Sequence, residues 1–209
     1  QPVWRARDRA PGDNNGLIDS ESSSTLGDLK EADFRAASHG RFAWTVDGED
    51  YFKQYIPPSN VDMAYPAESL VAEMDYAGVD RALLHRCAFL GVGNQFIADC
   101  VRRFPDRLLG LAHKEEWLIK TNPEGAVQKV ETAVREQGLS GFQFTPMQLD
   151  LYGDNGPWDS EGFQPFWDGI KNLNIPVFLT LMDRDGSGKE SYLNELKTLI
   201  RWMERYPDV

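Results

Sequence analysis

From residue 65 onward, apolar positions recur three and four apart, then bunch into short runs, and the alternation repeats along the chain. Leu70, Val71, Met74 and Ala77 share one helical face, Gly78 follows, and residues 79–84 read as a strand. The unit recurs as a helix through Phe96, Ile97, Cys100, Val101 and Phe104 before a strand at 107–112. It recurs again as Ala126, Val127, Val130, Ala133 and Val134 before 139–144. A further helix through Phe163, Phe166, Trp167 and Ile170 precedes 175–180, and a last one runs through Leu193, Leu196, Ile200 and Met203. Helices feeding strands in this way predict a parallel α/β sheet, either open and doubly wound or closed as a (β/α) barrel.

Residues 17–19 supply a first strand, giving five, and Asp208-Val209 falls where a sixth would begin. A complete eight-stranded barrel takes about 250 residues, so the chain reads as cut short after about five β/α units. Residues 1–16 are polar, punctuated by Gly and Pro and without period, and read as an irregular arm before a domain at 17–209. Residues 22–65 form a long excursion, with short strands expected at 44–46 and 50–55 around a turn at Asp47-Gly48. Its aromatics, Trp44, Tyr51, Phe52 and Tyr55, are expected to cover the strand-end mouth as a lid.

Charge narrows the partners. The 209 residues hold 33 acidic and 22 basic side chains, a net charge of −11, which argues against nucleic acid or an anionic membrane surface as partner. No apolar run has the length of a membrane span. Two cysteines, Cys87 and Cys100, form no disulfide framework and suit the reducing cytoplasm. Cys100 shares its helical face with Phe96 and Phe104 and reads as a small core residue. The partner expected is a small-molecule substrate, and exposed strand edges would call for a covering such as a homo-oligomer.

The familiar loops fail on inspection. Gly91-Val-Gly-Asn-Gln-Phe96 starts like a dinucleotide fingerprint, but Phe96 stands where the third glycine is needed. Gly186-Ser-Gly-Lys189 lacks a phosphate loop's first glycine and its Ser/Thr, and Asp183 and Asp185 would repel phosphate. In parallel α/β folds chemistry gathers beyond the C-terminal strand ends. The polar residues there are Asp19 and Glu21, then His85, Arg86 and Cys87, then His113, Lys114 and Glu115. Gln143 and Thr145 follow, and finally Thr180, Asp183 and Asp185. Glu115 and Glu116 also read as the acidic start of a connecting loop, and His39, beside Gly40, as a surface loop residue.

The run from Leu70 through Met74-Asp-Tyr-Ala-Gly-Val-Asp-Arg-Ala-Leu-Leu-His85, with Pro105-Asp-Arg-Leu-Leu-Gly-Leu-Ala112, resembles the amidohydrolase-related family. So do Gly138-Leu-Ser-Gly-Phe-Gln-Phe-Thr-Pro146, Phe166-Trp167 and Asn174-Ile-Pro-Val-Phe178. The resemblance covers about residues 17–209 and implies a (β/α)8 TIM-type barrel holding a divalent metal, zinc or manganese, at the strand ends. There the metal would serve hydrolysis or nonoxidative decarboxylation. The family's first-strand motif aligns with Asp19-Ser20-Glu21-Ser22-Ser23, making Glu21 a metal ligand while Ser23 replaces a histidine. The histidine of a later strand end aligns with Thr180.

Together these readings give a metal-dependent hydrolase or decarboxylase of small carboxylated or lactone-like substrates. His113 and Asp183 would be its acid/base groups, and His85, Gln143, Thr145 and Thr180 its substrate contacts. Two alternatives stand beside it. One is a barrel without its metal that serves as a binding or scaffold protein, and the other is metal-free acid/base chemistry through His113 and Glu115.

Overall fold

The structure, a computed structural model, describes residues 35–46, 48–54, 57–61, 65–86, 93–152, 156–182, 184 and 188–209. The expected strand at 17–19 and the residues Glu21, Ser23, Tyr55, Cys87, Asp183 and Asp185 lie outside them, as do the arm at 1–16 and the first two residues of each rejected loop. The chain divides into two compact units, residues 1–70 and 71–209.

In the first unit, β1 (Arg35–Ala37), β2 (Arg41–Val46) and β3 (Glu49–Gln54) form an antiparallel sheet in that order. Among its described residues the excursion therefore holds three strands where the sequence suggested two. Its register sets Trp44 opposite Tyr51, whose rings stack at 6.2 Å, and Thr45 opposite Asp50, which accepts its hydroxyl hydrogen bond at 2.8 Å. Gly48 turns the hairpin with φ of 77°, a left-handed angle that glycine takes without steric cost. Phe52 lies beneath the Arg41 guanidinium, 4.6 Å from its ring centre. His39 is exposed in the preceding turn, where its backbone N–H donates to Val61, in keeping with a surface loop residue.

Helix α1 (Ala67–Ala77) leads into the second unit. There β4 (Ala82–Leu84), β5 (Leu108–Ala112), β6 (Gly141–Phe144) and β7 (Val177–Leu179) lie side by side, all parallel. Their spatial order follows the sequence without the reversal that marks a doubly wound sheet. The helices between and after them are α2 (Asn94–Arg103), α3 (Pro123–Arg135), α4 (Gln164–Leu173) and α5 (Lys189–Arg205). The helices and strands expected between residues 66 and 205 are present, with ends shifted by a few residues, whereas Asp208-Val209, expected to begin a sixth strand, lies in a turn in which the Val209 N–H donates to Tyr206. Phe163 falls in a 3₁₀ turn just before α4.

Local chemistry sets the boundaries. Asn122 caps α3 by accepting the Gly125 N–H at 3.0 Å, with Pro123 at the first helical position. Alternation along β6 sends Phe142 and Phe144 to the helices and Gln143 to the opposite, inner face. On the helix side Phe144 meets Trp167 edge-on at 4.9 Å, and Trp158, Phe163, Phe166 and Trp202 complete a buried aromatic cluster. Cys100 of α2 is buried as a free thiol, as expected.

Helix α5 departs from its sequence pattern. Leu193, Ile200 and Met203 are exposed, the last two by more than half, whereas Ser191, Glu195, Thr198 and Trp202 face inward. The buried carboxylate is well supplied: Glu195 accepts from Trp158 Nε1 at 2.9 Å and from Arg184 at 3.3 Å. Trp202 joins the cluster through Trp158 and Trp167. One large indole with satisfied polar neighbours outweighs a stripe of smaller aliphatic residues. Among the described residues no helix is long and apolar enough to cross a membrane.

Candidate functional site at the strand ends

The register places Ala112 beside Phe142 and Gln143 beside Phe178. His113, the residue after β5, therefore continues the inner face toward Gln143. Their side chains meet: His113 Nε2 lies 2.7 Å from Gln143 Oε1. An amide oxygen only accepts, so a hydrogen bond between the two needs the proton on Nε2. The Arg86 backbone N–H, just past β4, donates to the same oxygen at 3.1 Å and to His113 Nε2 at 3.0 Å, which needs the lone pair there, so the two contacts of Nε2 call for opposite tautomers. Gln143 Nε2 in turn faces the Arg86 carbonyl and Thr180 Oγ1, both at 3.4 Å. His85 is exposed beside this cluster. Its Nδ1 lies 3.2 Å from the Arg86 carbonyl and 3.4 Å from Gln143 Nε2, and its ring stacks on Phe178 at 5.6 Å.

Two further groups hold this arrangement. Asn94, at the start of α2, accepts the His113 N–H at 2.8 Å and donates to the His113 carbonyl at 3.0 Å, as a neighbouring strand would. Glu116, fully buried, binds Arg86 Nη2 at 2.5 Å with one oxygen and accepts the Thr145 N–H at 3.1 Å with the other. Arg86 also donates to the Lys114 carbonyl at 3.2 Å, so one guanidinium ties the ends of β4 and β5 together.

Burial dominates the electrostatics. It pushes the His113 imidazole from 6.5 down to about 4, helped by the Arg86 charge and opposed by the hydrogen bond to Gln143. His113 is thus neutral at pH 7, and its Nδ1 is buried without a hydrogen-bond partner among the described residues. Burial raises the Glu116 carboxyl against the pull of Arg86. For Glu115 burial works upward too, but the ion pair with Lys114 and the charge of Lys129 hold the carboxyl below its usual range.

Of the residues singled out in the sequence, His85, His113, Gln143 and Thr180 come together directly, and Thr145 joins through Glu116. Glu21, Ser23 and Asp183 lie outside the described residues. The pair Arg86–Glu116 and the Asn94 strap carry more of the local order than their sequence context suggested. Arg86 was legible as a strand-end residue. Glu116 stands in a run of charges, and only its burial separates it from the solvated loop start expected there. Nothing in sequence spacing links Asn94 to His113.

A half-barrel of parallel strands with outer helices and polar residues at the strand ends defines a TIM-type α/β protein, and comparison with solved structures agrees. The chain is similar to 5-carboxyvanillate decarboxylase from Novosphingobium aromaticivorans, solved with manganese and a nitrobenzoic acid, with 19% identity over 71% of this chain and 48% of that one and a TM-score of 0.53. A mutant of that decarboxylase gives 18% identity, coverage of 71% and 49%, and a TM-score of 0.51. A TIM-barrel protein from Bordetella bronchiseptica matches with 19% identity, coverage of 68% and 48%, and a TM-score of 0.53. These neighbours share the barrel-type fold that the resemblance read in the sequence implied. At these identities the likeness establishes the fold. The chain spans about half the length of the structures it matches. No protein-family model and no curated protein matches it.

The decarboxylase structures contain manganese, which invites a test of the donors here. Among the described residues no three His, Cys, Asp or Glu side chains gather to hold an ion. Glu116 is engaged by a buried guanidinium, His113 Nε2 is engaged by Gln143, and Thr180 offers a neutral hydroxyl. A dication beside Arg86 would add like charge in a buried setting. The described donor set does not fit a divalent metal.

Proposed function

We propose that the strand ends of β4 to β7 form the acid/base half of a hydrolase or nonoxidative decarboxylase for a small carboxylated or lactone-like substrate. The observation that supports this reading is His113. It is neutral, buried and held at Nε2 by Gln143 and the Arg86 N–H, with an unpartnered Nδ1. A neutral imidazole so oriented takes a proton from water or a substrate hydroxyl, and gives it back to the leaving oxygen or to the ring carbon that loses carbon dioxide. Gln143 and the Arg86 N–H hold the ring in place, and Thr180 and His85 present a hydroxyl and a ring edge for orienting substrate. Asp183 is a second acid/base group in this proposal. A zinc or manganese ion with Glu21 as ligand is a separate expectation resting on the family resemblance, and no step here runs through it.

The experiment is an assay of the chain on a panel of carboxylated phenols and lactones, each with manganese, with zinc and with chelator. Turnover is expected, and His113→Gln should reduce it by about a hundredfold or more while substrate still binds. Binding without turnover under all three conditions would overturn the proposal in favour of a binding protein, and an unchanged rate in His113→Gln would remove His113 from its role.

A further inference from the structure

Asparagine is among the residues preferred as helix caps, and Asn94 stands at the start of α2, yet it does not cap that helix. Gly93 holds the cap position without a side-chain hydrogen bond. The Asn94 amide is turned instead onto the His113 main chain, bonding both its N–H and its carbonyl. The strand ladders show why a partner is needed there. On the β4 side pairing ends at Gly110 and on the β6 side at Ala112, so the His113 main chain lies beyond the last strand pair, in a residue with no exposure at all. A buried N–H and C=O must find partners from elsewhere. A side-chain amide offers an acceptor and a donor in one fork, whereas a carboxylate only accepts. The same device recurs just past β4, where Gln143 accepts the Arg86 N–H at 3.1 Å and faces the Arg86 carbonyl at 3.4 Å.

The consequence falls on the imidazole. Side chains alternate between the faces of a strand, so adding one paired residue to β5 sends the His113 ring to the inner face, and releasing it leaves the ring free to turn. The hold is separable from the fold, because α2 packs on the sheet through the buried Ile97 and Ala98, with Ile97 against Gly110. We propose that Asn94 is a positioning residue of the strand-end site: acting through the main chain of His113, it prolongs β5 by one residue and keeps the imidazole at Gln143. Its effect on turnover rests on the acid/base reading of His113, and its effect on the ring does not.

The chain has three histidines, and NMR titration of their ring carbons in the full chain tests the proposal. In the wild-type chain burial places the His113 titration at about 4. Asn94→Leu keeps nearly the same volume and removes both hydrogen bonds. Water reaching the ring should then raise the His113 titration by about one pH unit or more toward 6.5, with Arg86 still anchored by Glu116 and His39, in the first unit, unmoved. Asn94→Gln carries the same fork on a longer stem and should return part of that shift. On any substrate the wild-type chain turns over, Asn94→Leu should lower kcat about tenfold with KM within about twofold. An unmoved His113 titration in Asn94→Leu would overturn the assignment. So would a common shift of His39 and His113, or loss of folding in both variants, since either makes Asn94 a support of the whole fold. A wild-type chain without turnover would remove the acid/base reading alone, and the titration would still decide the positioning.

Discussion

The two faces of the parallel sheet are built on opposite terms. On the helix face Leu108, Ala112, Phe142 and Phe144 have no exposure at all, and a carbon added to Gly110 would come within 2.4 Å of Ile97. On the inner face Leu83, Leu109 and Phe178 are exposed by 42%, 39% and 41%. Order there comes from the polar cluster at the strand ends, where His113, Gln143, Arg86 and Glu116 hold one another by hydrogen bonds. Dispersion and burial fix one face and directional polar contacts fix the other. The second arrangement is the one that leaves room for chemistry.

Substitutions that discriminate the faces sharpen this contrast. The largest effect is expected at Trp167→Ala, which empties the centre of the aromatic cluster and should cost about 3–5 kcal/mol in urea denaturation. Next comes the polar cluster. The unfolded His113 titrates near 6.5 and the folded one near 4, so between those values the unfolded chain binds more protons. Stability present above pH 6.5 is therefore lost as pH falls toward 4, by up to about 3 kcal/mol. The pH dependence of the urea midpoint should flatten in that window in His113→Gln; an unchanged slope would mean that His113 does not titrate as its burial dictates.

Gly110→Ala and Leu109→Ala test adjacent residues on opposite faces. The added methyl at Gly110 meets Ile97 and Leu139 and should cost about 1–3 kcal/mol. Removing most of the Leu109 side chain should cost less than about 1 kcal/mol, because much of it is already in water. A reversal of that order in thermal melts would show that the inner face is covered in solution.

Much of the frame was legible because it is local. The 3.6-residue periodicity of α2, α3 and α4 and the apolar runs at β5 to β7 each report on backbone conformation within a few residues. The strand-end rule brought out His85, His113, Gln143 and Thr180 for the same reason, since a strand's end and its facing can be counted along the chain. The three-stranded sheet around Trp44 and Tyr51 was half legible. Its shortest strand, β1, is three residues long and carries no period of its own.

What the chain alone determined, then, is the succession of helices and strands and which residues stand at the strand ends. Tertiary structure decided which of those residues act on each other. Arg86 and Glu116 are thirty residues apart and form an ion pair only because β4 and β5 lie side by side. Asn94 becomes a strap only once α2 packs over β5. Helix α5 turned its aliphatic stripe outward because Trp202 and Glu195 found better partners in Trp158, Trp167 and Arg184 than the stripe could offer. Periodicity records which faces a helix possesses, and the choice between them is made by contacts that exist only after folding.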